Sequence, residues 1–469
     1  MAQPFVEPCS RGLIEAAGPC RPLSMSHRRL VLAACIFASA MAFIDGSALT
    51  VALPALRATT GANLALVQWV VTAYVLVLAS LTLIGGALGD RYGKARILSL
   101  GCLVFGAASA TCALGPPIAM LIAARIVQGV GAALVTPTSL SLIGAIYPKS
   151  ERNGAIGIWA GASALTTAVG PLLGGWLTQT FGWPAIFWIN PPIAVGAVGL
   201  LWIFAAEDER ERRRFDVTGA AIIAAALALI AWALSEAGAA QGDMLLSVAA
   251  GLAGLALLGA YALWERRTDH PMTPPWLTQN RLFVGLNVAT VLIYGGLAIM
   301  FFLLPFDLVD RRKLTSTVAG LTFLPMTIGV GLLSRPFGKL ADAIGARMML
   351  IVGPLGAALA YVALAFGTAL PLAWGVVAPM TLLGVSFAVL VTPLTASVLS
   401  SIAQADEGLA SGVNNAASRI AQLVGVALAA GLGASAAGAR IGFIASAILS
   451  AAGAIAMAAT VPPAVKKSR

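Results

Sequence analysis

Asp45 sits in the apolar run Met41-Ala-Phe-Ile-Asp45-Gly-Ser-Ala-Leu-Thr50-Val-Ala-Leu-Pro54 and is the acidic residue set deepest in such a run. A charge at the centre of a membrane-spanning helix costs roughly 2.5–3.5 kcal/mol, so it faces a polar cavity or a partner. Removal from water favours the neutral form of a carboxylic acid, and an acid so placed is suited to take up and release a proton. Arg125 is the candidate partner. It follows Pro117 by eight residues, and Asp45 precedes Pro54 by nine. At about 1.5 Å per residue, both lie at a similar depth below the same surface. Two readings of the pair stand: a permanent packing ion pair, or a switch in which Arg125 favours ionised Asp45 until a proton or cargo releases it. Asp307 is borderline, at the outer end of a later apolar run.

The elements that must hold these charges are membrane helices. The chain has 469 residues, of which 59% are hydrophobic and 10% charged, against about 25% charged in a soluble domain. A spanning helix needs about 20 apolar residues, and fourteen segments qualify. Connections are short, which leaves no room for a sizeable soluble domain. Lys and Arg concentrate on the side that holds both termini, so the +10 net charge reports orientation in the bilayer and gives no reason to expect nucleic acid. Arg311-Arg312-Lys313 breaks that rule locally.

The domain reading follows the charged breaks: a cytoplasmic tail at 1–28, six helices over 29–205, linkers over 206–281 with two extra spans at 216–236 and 244–264, six helices over 282–460, and a cytoplasmic tail at 461–469. Residues 1–24 lack the apolar core of a secretory signal, and Met25 is a candidate natural start. The cysteines, Cys9, Cys20, Cys35, Cys102 and Cys112, have no paired spacing and read as free thiols. His27 and His270 are the two histidines, too few for a multi-His metal centre. The chain has no G-x-x-x-x-G-K-[ST] phosphate loop, no H-E-x-x-H and no G-x-S-x-G, so neither a P-loop ATP-driven pump nor an enzyme is expected.

Gly86-Ala-Leu-Gly-Asp90-Arg91-Tyr-Gly93-Lys94-Ala-Arg96 reads as a charged loop between two spans. Gly338-Lys-Leu-Ala-Asp342-Ala-Ile-Gly345-Ala-Arg347 repeats its skeleton in the second half. Such duplication is the common plan of secondary transporters. The segment resembles the loop signature of the major facilitator superfamily, although Ala343 stands where a basic residue is usual. Arg125-Ile-Val-Gln128-Gly129-Val-Gly131 resembles the family's fourth-span signature. Gly157, Gly161, Gly170-Pro171 and Gly174-Gly175 resemble the fifth-span signature of its antiporters. The run around Asp45 is similar to the first-span motif of the fourteen-span drug:proton antiporter branch, with Thr50 where Asn is common there.

The resemblance implies an all-α integral membrane protein with two six-helix bundles around a central cavity, plus two extra central helices. It further implies alternating access driven by a proton gradient, without a cofactor. The expected function is export of amphipathic, cationic or neutral drug-like compounds across the plasma (inner) membrane, by a monomer with both termini cytoplasmic and with protons, a small-molecule substrate and the lipid bilayer as partners. Asp45 and Arg125 are expected to couple protons. Gly86, Asp90, Arg91, Gly93, Arg96, Asp342 and Gly345 are expected to lock the cytoplasmic side. Gln128, Asn414, Asn415 and the second intramembrane cation Arg419 are candidate cavity residues. The alternatives are an exporter dedicated to one endogenous metabolite and a non-transporting sensor or scaffold.

Overall fold

A computed structural model describes residues 25–205, 216–237, 243–268, 275–367, 370–402, 407–433 and 435–462. The charged linker 207–214, His270, the prolines at 271 and 274, Cys9, Cys20 and most of both tails lie outside these residues. Every regular element among the described residues is helical, as a chain in lipid requires when each backbone N–H and C=O must be satisfied within its own segment. Thirteen described helices are long and apolar enough to cross a membrane, and Thr218–Leu234 adds a shorter apolar one.

The first set comprises α1 (Met25–Thr60), α2 (Leu64–Tyr92), α3 (Lys94–Ala113), α4 (Ile118–Ile146), α5 (Lys149–Phe181), the short α6 (Ala185–Trp188) and α7 (Asn190–Phe204). Within it α2 packs on α4, α3 on α4 and α7, and α1 on α5 and α7. A hairpin follows, α8 (Val217–Ala237) and α9 (Met244–Glu265). After the short α10 (Pro275–Gln279) the second set begins: α11 (Arg281–Phe306), α12 (Ser316–Leu321), α13 (Leu324–Ile344), α14 (Ala346–Phe366), α15 (Ala378–Ser400), α16 (Glu407–Leu432) and α17 (Ala436–Thr460). Here α11 packs on α16 and α17, α14 on α15 and α17, and α13 on α15. The sets meet through α5 against α12 and α2 against α16, and α8 also rests on α2 and α16.

The two charged motifs are less loop-like than the sequence suggests. Gly86 to Tyr92 continues α2, and Gly338 to Ile344 continues α13. Only Gly93 (φ 102°) and Gly345 (φ 95°) leave the helix, in a left-handed conformation that glycine adopts at low cost. The Gly93 N–H donates to the Gly89 carbonyl at 2.9 Å, and the Gly345 N–H to the Ala341 carbonyl at 2.8 Å. The two copies thus share one turn geometry. A second repeat accompanies them, Leu134-Val-Thr-Pro137 in α4 and Leu390-Val-Thr-Pro393 in α15. A Cβ on Gly86 would stand 3.5 Å from the Pro137 side chain, and one on its counterpart Gly338 would stand 2.8 Å from the Thr392 methyl. Each motif is packed against its own copy of the repeat.

The Arg311–Lys313 cluster also finds a structural account. Helix α11 runs on into a π-helical turn, Asp307–Arg311, and Asp307 is buried. Arg311 donates to it at 2.5 and 2.8 Å, and Arg312 lies 3.4 Å away. Arg312 also donates to the carbonyls of Gly367 (2.8 Å) and Leu370 (3.1 Å), where α14 ends. Two of the three cations therefore neutralise a buried acid, and Arg312 adds donors to carbonyls just past the end of α14.

Candidate functional site

Asp45 is wholly buried and Arg125 is 1% exposed. Helix α1 supplies Asp45, α4 supplies Arg125 and Gln128, α3 supplies Ser109, and α7 supplies Asn190 at its first turn. Arg125 Nη1 donates to Asp45 Oδ2 in a direct ion pair, and to Gln128 Oε1 at 2.6 Å. Its Nε donates to the Val70 carbonyl at 2.9 Å. Gln128 Nε2 donates to Asp45 Oδ1 (2.9 Å) and to Ser109 Oγ (2.8 Å). Asn190 Nδ2 reaches the same two oxygens at 3.5 and 3.2 Å.

Arg125 reaches this geometry because α2 lies close against α4. A Cβ on Gly129 would be 2.9 Å from the Tyr74 carbonyl, so any side chain there would push the helices apart. Close approach of this kind is what small residues give membrane helices. The Tyr74 ring then lies under the guanidinium, 4.2 Å from Cζ to the ring centroid, and Phe187 stands at 5.8 Å. Cations are attracted to such ring faces, more strongly without water. A buried charge that is paired and hydrogen-bonded can persist where a lone one cannot. Protonating Asp45 would end its attraction for Arg125, which would keep Gln128 Oε1 and the Val70 carbonyl.

The remaining candidate residues separate into groups. Gln128, expected as a cavity residue, belongs to the Asp45–Arg125 network. Asn414 donates to Asn287 Oδ1 (3.1 Å) and Thr290 Oγ1 (3.0 Å) and so joins α16 to α11. Asn415 is exposed, and Arg419 is half-buried, donating to Gln422 Oε1 at 3.2 Å. Gly170 and Gly174 press on Ser47 and Ala48 of α1, while Gly175 presses on Ser316 of α12. The Pro171 carbonyl faces Gly320 of α12. Gly157 and Gly161 face open space, so the glycine-mediated close approaches of α5 lie in its C-terminal half, while Trp159 in the N-terminal half donates a hydrogen bond to Ser39 of α1. Asp90 pairs with Lys94 at 3.3 Å, Gly86 lies beside Pro137, and Arg91 and Arg96 are exposed. The Asp342 side chain lies outside what is described; its backbone is helical.

Ser109, Asn190, Tyr74 and the Val70 carbonyl complete the network and went unread in the sequence. A lone Ser in α3 looks like packing. Asn190 did carry a signal, an amide side chain leading Pro-Pro into an apolar helix, but nothing local aims it at Asp45.

The model of the Major Facilitator Superfamily matches residues 35–264 and 286–469. The lincomycin resistance protein of Streptomyces lincolnensis is 32% identical over 395 residues, covering 83% of this chain and 81% of that protein. The methylenomycin A resistance protein of Streptomyces coelicolor is 32% identical over 391 residues, 82% of each. The xylose transporter XylE of E. coli, in a partially occluded inward-open conformation, superposes with a TM-score of 0.64 at 15% identity, over 93% of this chain and all of that one. A helical membrane chain matched almost end to end by this family belongs to the Major Facilitator Superfamily, and it is a transporter related to drug-resistance proteins.

Proposed function

We propose that the chain is a proton-coupled exporter of amphipathic drug-like compounds that works by alternating access. The observation that carries this reading is the fully buried Asp45–Arg125 pair with its Gln128 and Asn190 donors. An intramembrane acid held by a releasable cation is a means of coupling protonation to helix position. The Asn190 Oδ1 atom, buried and without a hydrogen bond among the described residues, offers an acceptor near Asp45 when that acid takes a proton. The drug-resistance relatives support the cargo class.

In this reading residues 29–205 and 282–460 form the two bundles that rock about the cavity, and α8 and α9 are the inserted pair. The Asp90 end of the molecule faces the cytoplasm together with both termini, in the plasma membrane, and a single chain suffices. The Arg57 end faces outward and is shut: Arg57 and Asp310 approach to 4.0 Å, the Thr317 N–H donates to Gln179 Oε1 at 3.2 Å, and α5 lies on α12 at Gly175 and Gly320. The Gly86–Arg96 turn and its Asp342–Gly345 counterpart hold the opposite side closed in the other half of the cycle.

The test is efflux of a fluorescent drug-like dye from reconstituted vesicles under an imposed pH gradient, comparing wild type with Asp45→Asn. Gradient-driven flux is expected in the wild type and its loss in the variant. Equal flux in both would place proton coupling elsewhere.

A further inference from the structure

Arg419 is a cation within a membrane helix that the proton-coupling network does not use. It lies in α16 on a polar face with Asn415 and Gln422, four residues before it and three after, and helical spacing puts these three on one side. Asn415 is exposed and Arg419 half-buried. Leu423, one turn further along, is buried among first-set residues that include Tyr74, Val75 and Leu78 of α2. The face therefore runs from open space into the contact between the two helix sets.

Tyr74, in the same buried cluster as Leu423 of α16, carries Arg125 on its ring face. The Arg125 charge is answered by Asp45. No described carboxylate forms an ion pair with Arg419, and its hydrogen bond goes to the neutral amide of Gln422. A guanidinium has five N–H donors in a planar fork suited to carboxylate-like oxygens. Intramembrane cations pair with acids or mark a substrate path, and this one has no described acid.

We propose that Arg419 recognises the cargo, and that the preferred cargo is an amphipathic aromatic anion, a carboxylate, sulfonate or phenolate on an apolar ring system. The acidic group meets the guanidinium while the rings lie toward Tyr74. This rests on the exporter reading and replaces its cationic-or-neutral expectation with an anionic one. A cationic compound at this position meets repulsion from Arg419, and the buried acid Asp45 is already bound by Arg125.

The experiment uses 8-anilinonaphthalene-1-sulfonate and N-phenyl-1-naphthylamine, which share a ring system and differ by the sulfonate. Each is titrated by fluorescence into purified full-length chain, against protein-free micelles, for wild type, Arg419→Gln and Arg419→Lys. The sulfonate is expected to bind wild type at least about tenfold more tightly than Arg419→Gln, the scale of one charge-assisted hydrogen bond. Lys is expected to restore part of the difference, and the neutral compound to bind all three alike. Equal sulfonate binding by wild type and Arg419→Gln, or weaker sulfonate than neutral binding in wild type, overturns the proposal. Efflux of both compounds under a pH gradient is read in parallel. Flux without a sulfonate preference overturns this inference alone; a sulfonate preference with flux of neither compound overturns the exporter reading and, with it, the cargo role of Arg419.

Discussion

Adjacent glycines in α5 face opposite partners, and that difference can be turned into a measurement of how the two helix sets separate. A Cβ on Gly175 would lie 2.9 Å from the Ser316 carbonyl carbon of α12, with the Ser316 oxygen closer still, against 3.4–4 Å for ordinary contact. In Gly175→Ala the α5–α12 contact must therefore open by at least about 0.5 Å, and the obstacle is backbone, which cannot rotate aside. Overpacking of this kind costs about 1–3 kcal/mol. Because the strain exists only while α5 and α12 touch, it falls on the state closed at the Arg57 end. The closed-to-open ratio should drop by about five- to 150-fold. In Gly174→Ala the new Cβ would meet the Ala48 Cα of α1 at 2.7 Å, inside one helix set, so both states are strained alike. The assay is a pulsed-EPR distance distribution between labels at Ala58→Cys and Lys313→Cys, in a chain whose five cysteines are first replaced by alanine. Gly175→Ala should move population to longer distances. Gly174→Ala should lower stability and leave the distribution as it was. A Gly175→Ala protein that folds with the wild-type distribution would refute the argument that α5 against α12 is the moving contact.

Arg125→Gln should lower stability by about 3–5 kcal/mol, because it leaves a buried carboxylate without its cation, and Asp45→Asn/Arg125→Gln should regain most of that loss. Thermal unfolding followed by labelling of buried Cys35, Cys102 and Cys112 reads both, and equal losses in the single and double variants would count against a charge-based explanation. Arg312→Ala should free the carbonyls at the end of α14 while Asp307 keeps Arg311. Charge-assisted hydrogen bonds of this kind are worth about 1.5–3 kcal/mol, visible as faster amide exchange confined to the last turn of α14 and the Asp307 turn; unchanged exchange there would show that Arg312 does not hold this end.

The periodicity and length of the apolar runs determined the helices. Segment 118–146 reappears as Ile118–Ile146 and 244–264 as Met244–Glu265, because a bilayer leaves a long apolar segment few conformations other than a helix. The family motifs were likewise local and legible. The breaks within spans were not: α12 and α13 read as one span, and the charged turns read as loops, because a solvated helix end carries the same polar residues as a loop. The meeting of Asp45 with Arg125 was suggested by depth, which one helix axis supplies. The direction each side chain faces around that axis belongs to packing. Only the tertiary structure therefore brought Ser109, Asn190 and Tyr74 to the pair, since three helices each contribute one residue from positions far apart in the chain. Packing likewise joined Asn414 to α11 while leaving its neighbour Asn415 exposed, placed Gly174 on α1 and Gly175 on α12, and left Arg419 with the neutral amide of Gln422 as its hydrogen-bond partner. Residue type fixes what a group can do, and the way helices pack fixes what it meets.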